Sequence, residues 1–595
     1  MRKWFSLLPS LWLGLAANAL AQTSSCPRPT PCTSGLSVSD IQKFAPAGVT
    51  INAACEASFI DSVTNQTLNY CEVLGSITTK KSKNDFINFE VSLPDTGWNN
   101  KFVFIGNGLF AGQMPQPSEN DYTSALADGY AVAGTDTGHS NCNGNADCFL
   151  INASWALNNT PAVKDFAYRA VHKTTVAAQA IIAGYYNSTV DFSYFNGCST
   201  GGRQGLVEAE KYPSDFNGII AGDPAAGNLF AGFNWNQQAN LSDLDTTTDT
   251  PALDVNAVNL ISQTITNNCG ETTPGLTTTP LVLNPTTCDF KAQVASLQCP
   301  SGQSPPGCLS AAQIATADAI LAGPTDTKGN QIYPGYSASD AADTMDGDLG
   351  WSSITGCTAF PTPACGTITV GAQEPYGSSS PGPPVVNPPN FIAQGPIQWV
   401  AQDGYLRNIV FDDINYAPLT FDFTKQKQIN ELTTNIARWN ADGMEAKHLK
   451  KFIKQNHVLL LYHGWSDPVL TPFNTLNLFT NIQSTFGTTV SNNVRLFMVP
   501  GMHHCHGGPG PNFIGPGPGV EDPVTVLDLW AREGLAPDGI STSNPIIATH
   551  FVQNDLGGTV DRTMPLCSWP EVPSYIGVGN PNNFANWTCV TPAPG

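Results

Sequence analysis

A serine lies at the centre of a glycine-rich stretch that is typical of hydrolytic nucleophiles. Residues 197–201 read Gly-Cys-Ser-Thr-Gly, which fits the pattern G-x-S-x-G. An apolar run at 190–195 precedes this stretch, and a run suited to a helix follows at 204–211. A serine at the tip of a strained turn needs small neighbours, because strand and helix cross closely there. The pattern predicts that Ser199 is a nucleophile, and the alternative is a turn without chemistry.

Two later stretches offer an acid and a base. The apolar run 458–462 continues into His-Gly-Trp-Ser-Asp-Pro, which puts Asp467 in the loop beyond a buried strand. The apolar run 494–499 continues into a loop, 500–508, with three histidines. The order Ser, Asp, His is that of α/β-hydrolases, and the carboxyl ends of parallel strands meet at one edge of a sheet. The alternatives are that Asp467 only begins a turn and that the histidines form a metal-binding tract.

The roles of the three groups follow from their chemistry. A neutral imidazole accepts the proton of the Ser199 hydroxyl, and a carboxylate holds that imidazole in the correct tautomer. Cys198 directly precedes Ser199, and Cys505 directly follows His504. Neither His503 nor His506 is directly followed by a cysteine. If Ser199 and His504 are hydrogen-bonded, the two cysteines come within the separation that a disulfide tolerates. We therefore predict a Cys198–Cys505 bridge and His504 as the base.

Alternating strand and helix patterns surround these loops. Short apolar runs at 102–105, 130–133 and 218–222 predict buried strands, and a period of 3.6 residues predicts a helix over 161–185. Such alternation favours a parallel sheet that is covered on both faces. The alternation of strand and helix patterns stops between about 227 and 440, where threonine-rich and proline-rich tracts occur. This region is interpreted as an insertion.

Composition disfavours nucleic acid as a partner, and the N-terminal residues predict a secreted protein. The chain has 595 residues, of which 12% are charged, and a net charge of −21. Binding to nucleic acid needs clustered Lys and Arg, so this partner is disfavoured. Basic residues at 2–3, an apolar run at 4–16 and small residues at 17–21 predict a signal peptide over 1–21. No later stretch reaches the roughly 18 apolar residues of a membrane span, so we predict an extracellular protein without a membrane anchor.

Cysteines and sequons agree with that destination. Sixteen cysteines suit an oxidising compartment, and the absence of a C-x-x-C pair disfavours zinc. Besides Cys198–Cys505, we predict bridges for the pairs Cys269–Cys288, Cys299–Cys308 and Cys567–Cys589. Pairing stays open for Cys26, Cys32, Cys55, Cys71, Cys142 and Cys148. Six N-x-S/T sequons predict glycosylation at Asn65, Asn152, Asn158, Asn187, Asn240 and Asn586.

These motifs together resemble the tannase/feruloyl esterase family of secreted carboxylic ester hydrolases. The resemblance rests on Gly-Cys-Ser-Thr-Gly-Gly-Arg-Gln at 197–204, Tyr-His-Gly-Trp-Ser-Asp at 462–467, Gly-Met-His-His-Cys-His-Gly-Gly at 501–508 and Thr-Asp-Thr-Gly-His at 135–139. It implies an α/β-hydrolase core with a mostly parallel sheet, a large inserted lid domain and release of phenolic acids from esters. The predicted domains are core residues 22–226, which begin with a disulfide-stapled β region, the lid 227–440 and core residues 441–595.

The oxyanion hole is predicted from the same comparison of motifs. Thr200 follows the nucleophile, so its backbone N–H is one predicted donor. A second N–H is expected from the early glycine loop, 106–109, with Gly108 as the candidate. The alternative is that these glycines only permit a tight turn.

One departure concerns the calcium loop that the family's lid commonly carries. The matching place begins at Cys269, but Glu271 is its only carboxylate before Cys288. Calcium takes about six to eight oxygen ligands, so we predict that this lid has lost the ion and that the protein needs no cofactor.

The sequence therefore predicts a serine esterase that releases feruloyl or related hydroxycinnamoyl groups through an acyl-enzyme. A tannase that hydrolyses galloyl esters is the alternative, and a non-catalytic binding protein on a hydrolase scaffold is the alternative of another class. The expected partner is a small phenolic ester, attached to a plant polysaccharide or polyphenol in some substrates. The oligomeric state stays open.

Overall fold

The computed structural model describes most of the chain. The described residues are 32–60, 66–79, 86–115, 120–139, 153–241, 252–271, 273, 280–339, 397–438, 443–511, 513–517, 522–551 and 559–592. The predicted signal peptide lies outside them, as do Cys26, Cys142, Cys148 and the sequons at Asn65 and Asn152.

A nine-stranded sheet forms the centre of the protein. Its strands are β1 (Val49–Ile60), β2 (Thr67–Thr78), β3 (Phe86–Pro94), β4 (Lys101–Ile105), β5 (Ala131–Thr135), β6 (Phe192–Cys198), β7 (Gly218–Gly222), β8 (Val458–Gly464) and β9 (Val494–Val499). They are arranged in the order β1-β2-β3-β5-β4-β6-β7-β8-β9. The strands β5-β4-β6-β7-β8-β9 are all parallel, and β1, β2 and β3 extend the sheet in antiparallel pairs. The predicted mostly parallel sheet is therefore present.

Helices cover both faces of this sheet, and further helices form the segment between β7 and β8. They are α1 (Val38–Ile41), α2 (Asn120–Ala127), α3 (Thr160–Lys164), α4 (Ala170–Tyr186), α5 (Thr200–Lys211), α6 (Leu229–Leu241), α7 (Val255–Cys269), α8 (Phe290–Ala295), α9 (Ala311–Ala322), α10 (Ile397–Tyr405), α11 (Gln426–Arg438), α12 (Lys450–Lys454), α13 (Pro472–Phe486) and α14 (Pro523–Glu533). One π-helical turn, Asp165–Arg169, joins α3 to α4.

The alternation of side chains along β4 shows why the sheet is buried on both sides. Phe102 and Phe104 belong to the apolar core that contains residues of α4 and α13, whereas Val103 belongs to the core under α14. Successive side chains of a strand point to opposite faces, so an unbroken apolar run requires cover on both. The same reason explains β8, in which every residue is buried.

The N-terminal β region that we predicted consists of β1, β2 and β3. The pairing of β1 with β2 contains an irregularity between Ile51 and Ala53, where the register shifts. Cys32 is bridged to Cys71 in β2, and Cys55 in β1 is disulfide-bonded as well. The sequence left these pairings open, because the connectivity of several cysteines does not follow from their spacing.

The segment between β7 and β8 adds no strand to the nine-stranded sheet in its described part, and it consists mainly of α6 to α11. These helices build apolar cores of their own, such as the one that joins Ala231, Leu406 and Leu432. The predicted bridges Cys269–Cys288 and Cys299–Cys308 are both present in this segment. The limits 227 and 440 of a lid domain stay a prediction.

The C-terminal part adds two small antiparallel sheets. One contains β10 (Phe513–Gly515), β11 (Ile547–Phe551) and β12 (Val560–Pro565), and the other contains β13 (Val572–Tyr575) and β14 (Trp587–Val590). The predicted bridge Cys567–Cys589 is present here. Within the described residues, none of the helices has the length and apolar character that crossing a membrane requires.

The structure corrects one predicted glycosylation site. Asn240 lies in α6 with 1% of its surface exposed, and its Oδ1 accepts the N–H of Leu253. A glycan needs an exposed amide nitrogen, so the burial of this side chain is incompatible with the prediction. Asn158 and Asn187 are exposed, and Asn586 is partly exposed with its Nδ2 hydrogen-bonded to the carbonyl of Asn580.

Candidate active site

Ser199 occupies a sharp turn between β6 and α5. Its backbone angles are φ 62° and ψ −121°, a region that side-chain-bearing residues rarely adopt. The neighbouring glycines are needed for close approach: a Cβ on Gly197 would lie 2.9 Å from the Cα of Gly201, and one on Gly202 would lie 2.3 Å from the carbonyl oxygen of Gly222. Strain of this kind at a buried turn is a feature of functional sites.

Asp467 and His504 are in direct contact. Nδ1 of His504 donates to Oδ2 of Asp467 at 2.7 Å. The carboxylate is fully buried, and its Oδ1 accepts the N–H groups of Val469 and Leu470, each at 2.8 Å. Burial alone would raise the pKa of Asp467, but the charges and hydrogen bonds of His504 and His463 outweigh it and hold the pKa well below its usual range. Asp467 is therefore an ionised group that orients the imidazole.

A disulfide joins the turn of the serine to the turn of the histidine. The sulfur atoms of Cys198 and Cys505 are bonded, and their Cα atoms lie 5.9 Å apart although 307 positions separate them in sequence. Ser199 and His504 are the direct neighbours of these cysteines. The bond thus brings together the nucleophile and base candidates, which come from distant parts of the chain.

Removal of this bond is expected to destabilise the protein strongly. In the chain-entropy description, a bridge that closes a loop of about 300 residues contributes about 5 kcal/mol, because it restricts the unfolded chain. We expect a Cys198→Ala/Cys505→Ala variant to unfold at clearly lower denaturant concentration than the wild type. The control is the Cys299→Ala/Cys308→Ala variant, which opens a loop of 9 positions. Equal losses in the two variants would contradict the prediction.

Asp223 and His463 also belong to this site, and the sequence analysis did not assign them roles. Asp223 accepts the N–H of Cys505 at 2.7 Å through Oδ2 and that of Gly464 at 2.8 Å through Oδ1. Nε2 of His463 lies 3.2 Å from Oδ2 of Asp467 and 3.4 Å from Oδ1 of Asp223. Asp223 therefore ties the loop of the histidine to the strand that leads to the acid.

A sequence signal for Asp223 was available. It directly follows the apolar run that became β7, as Asp467 follows β8, so the same rule for carboxyl ends of strands applies to it.

Asp223 is expected to make the stability of the fold depend on pH. Burial raises the pKa of this carboxyl to about 6, while His463, Asp467 and His504 face it. Its pKa in an unfolded chain is about 4, so the folded protein binds the proton more tightly and loses stability as pH rises through 6. In the wild type, Asp223 should make the free energy of unfolding on the order of 2 kcal/mol smaller at pH 7.5 than at pH 4.5. We expect the Asp223→Asn variant to lack this contribution.

Chemical denaturation at both pH values measures this difference. The control is Asp191→Asn, which changes an exposed carboxylate and should leave the pH dependence as in the wild type. A variant whose stability difference between pH 4.5 and pH 7.5 equals that of the wild type would contradict the prediction.

The two predicted oxyanion-hole residues lie on neighbouring segments. Thr200 is the first residue of α5, and its hydroxyl donates to the carbonyl of Leu109. Gln204 binds Asn107 twice, since its Oε1 accepts the backbone N–H and its Nε2 donates to Oδ1. The loop that contains Gly108 is therefore fixed against the helix that begins at the nucleophile, and the two N–H donors stay a prediction.

An aromatic cavity adjoins the serine turn. It is lined by residues of both core and inserted helices. Arg203 and Ala225 line it, and their backbone N–H groups both donate to the carbonyl of Ser199. Phe230 and Tyr405, from α6 and α10, also line it, with ring centroids 3.7 Å apart.

Three clusters of described residues bring possible metal ligands within 4.8 Å of one another. They are Cys198, Asp223 and Cys505; Asp223, Asp467 and His504; and His172, Glu208 and Asp215. The first uses the two bridged cysteines and the second the orienting acid and its histidine. In the third, Nδ1 of His172 is already bonded to Asp215 at 2.6 Å.

The described residues around Cys269 do not fit a calcium ion. Glu271 accepts the hydroxyl of Thr273, and Asp289 caps α8 through the N–H of Ala292. Two carboxylates with such partners fall short of the oxygen-rich shell that calcium needs. The loss of the family's calcium site stays a prediction.

Comparisons with known proteins agree with this geometry. The family model described as tannase and feruloyl esterase matches residues 71–590. The chain is 29% identical over 552 residues to the mono(2-hydroxyethyl) terephthalate hydrolase of Piscinibacter sakaiensis, covering 88% of this chain and 85% of the relative. It is 25% identical over 569 residues to the probable feruloyl esterase B-1 of Aspergillus oryzae, covering 92% and 89%.

A solved structure shows the same fold. The crystal structure of feruloyl esterase B from Aspergillus oryzae superposes with a TM-score of 0.71 at 21% sequence identity, covering 92% of this chain and 98% of that one. The sheet described above is therefore that of an α/β-hydrolase-like fold.

Proposed function

The chain belongs to the tannase and feruloyl esterase family and is a carboxylic ester hydrolase, and we propose that it releases phenolic acids through an acyl-enzyme on Ser199. The observation that carries this proposal is the disulfide Cys198–Cys505, which joins the serine turn to a histidine bonded to a buried carboxylate. Membership of the family alone would not assign the catalytic roles to particular residues.

The proposed reaction has two steps. In the first, Nε2 of His504 removes the proton of Ser199 while the oxygen attacks the ester carbonyl, and the N–H groups of Thr200 and Gly108 bind the oxyanion. The alcohol then leaves with the proton from His504. In the second step, a water gives a proton to His504 and attacks the acyl-enzyme, and the acid leaves as that proton passes from His504 to the oxygen of Ser199. Asp467 stabilises the imidazolium in both steps, and the proposed reaction uses no cofactor.

The proposed substrates are esters of hydroxycinnamic acids such as ferulate. Support comes from relatives named feruloyl esterase B and from the aromatic residues Phe230 and Tyr405, which line a cavity together with Arg203 of the helix that begins at the nucleophile. The proposed location is extracellular, on the basis of the signal peptide predicted over 1–21.

Parallel hydrolysis of a panel of esters tests the substrate. We expect methyl ferulate and methyl caffeate to be cleaved with higher kcat/KM than methyl gallate or mono(2-hydroxyethyl) terephthalate. Preference for methyl gallate would instead assign a tannase. If the protein cleaves none of these esters and a fluorophosphonate probe fails to label Ser199, the protein is the non-catalytic binding protein of the alternative hypothesis.

A further inference from the structure

The loop that carries the proposed oxyanion donor Gly108 has a strained backbone. Leu109 and Ala111 have φ angles of 46° and 48°, and Gly112 has φ 92°. A non-glycine residue persists in such a conformation only where its surroundings determine it. Something must therefore hold this loop, residues 106–112, in place.

The segment 135–139, Thr-Asp-Thr-Gly-His, contacts the loop at three points. The carbonyl of Thr135 accepts Nδ2 of Asn107 at 2.7 Å, and the carbonyl of Asp136 accepts the N–H of Gly112 at 3.0 Å. The third contact joins Nε2 of His139 to the carbonyl of Phe110 at 3.0 Å. Only the last of these contacts is made by a side chain of the segment, so it can be removed by substitution.

The imidazole of His139 is suited to be a permanent donor. A carbonyl only accepts hydrogen bonds, so Nε2 carries the proton. The ring is 8% exposed and stacks on Trp155 with centroids 3.7 Å apart. Burial lowers the pKa of His139 to about 3, and the ring is therefore neutral above pH 5 and keeps a single N–H.

The peptide unit that His139 binds also reaches Gly108. The carbonyl of Phe110 and the N–H of Ala111 belong to the same peptide group, and that N–H donates to the carbonyl of Gly108 at 3.0 Å. Movement of this peptide group would change the orientation of Gly108.

We propose that His139 is a positioning residue of the ester hydrolase: through the carbonyl of Phe110 it holds the loop so that the Gly108 N–H faces the oxyanion. The inference rests on the proposed function. A donor at this place acts mainly on the transition state, because a tetrahedral oxyanion gains more from aligned N–H groups than a carbonyl does.

The His139→Phe variant removes the donor and keeps an aromatic ring against Trp155. We expect kcat to fall about 10- to 100-fold with KM within about twofold, because the loss of alignment affects the transition state. Binding of phenylboronic acid, whose tetrahedral serine adduct places an oxygen at the oxyanion position, should weaken by about the same factor.

Two further variants separate positioning from folding. His139→Gln places an amide N–H at about the reach of Nε2 and should recover kcat to within about fivefold of the wild type. His457→Phe is the matched control, since Nδ1 of His457 bonds the carbonyl of Pro213 at 2.9 Å just before β8, at the edge of the sheet opposite the active site. It should leave kcat and boronate binding unchanged.

The outcomes are distinguishable. Unchanged kcat in His139→Phe, a loss that His139→Gln does not recover, or an equal loss in His457→Phe would overturn the positioning role. If fluorophosphonate labels Ser199 in the wild type, these results leave the proposed hydrolase in place. If the wild type neither reacts with the probe nor cleaves esters, the proposed function itself fails.

Discussion

The Ser199→Ala variant is expected to lose about 10⁶-fold in kcat, because removal of the nucleophile from a serine hydrolase removes the acyl-enzyme route entirely. The fold should be preserved, since the serine holds its turn through backbone bonds: its N–H donates to the carbonyl of Gly222, and its carbonyl accepts from Arg203 and Ala225. Hydrolysis of methyl ferulate over hours measures the loss of kcat, and labelling by a fluorophosphonate measures the loss of the reactive serine.

The matched control for this variant is Ser193→Ala. Ser193 lies on the same strand, β6, and its hydroxyl accepts Nε2 of Gln179 at 2.9 Å without belonging to the serine turn. We expect it to keep near-wild-type kcat and full labelling. If Ser199→Ala kept most of the activity, or if the probe labelled another residue, the assigned mechanism would be wrong.

The local pattern around each element explains what the sequence could predict. β7 and β8 are continuous apolar runs, which only a strand buried on both faces tolerates, so their position and the loops beyond their ends followed directly. Ser199 and Asp467 lie at such ends, and the candidate histidine follows β9 in the same way. The predicted triad therefore depended on strand ends, which local patterns reveal well.

What the sequence left open or predicted wrongly involves contacts that local patterns do not contain. Asn240 fits a sequon, but its burial results from packing between α6 and distant segments such as the one at Leu253. The bridge Cys32–Cys71 depends on how the first segment lies against β2. Asp223 follows β7 at a strand end, which local pattern reveals, but its role depends on its partners Gly464 and Cys505, which are distant in sequence.

The Asp467→Asn variant should lower kcat by about 10⁴-fold while the site keeps its shape, because the amide enforces the wrong tautomer of His504. Asparagine retains an oxygen for the N–H groups of Val469 and Leu470, which Oδ1 accepts at present. Its amide nitrogen then takes the place of Oδ2 and donates to Nδ1 of His504. The ring must carry its proton on Nε2, and the atom that should accept the serine proton is already occupied.

Asp467 differs in role from its neighbour Asp223, which faces the same histidines and is equally buried. Asp467 is hydrogen-bonded to Nδ1 of His504, so Asp223→Asn should retain far more activity than Asp467→Asn. Raising the pH should partly rescue Asp467→Asn, since hydroxide can then remove the serine proton that the imidazole no longer accepts. Steady-state kinetics between pH 5 and pH 10 measure both effects. Equal losses in the two variants would mean that buried negative charge, rather than the tautomer of His504, limits the reaction.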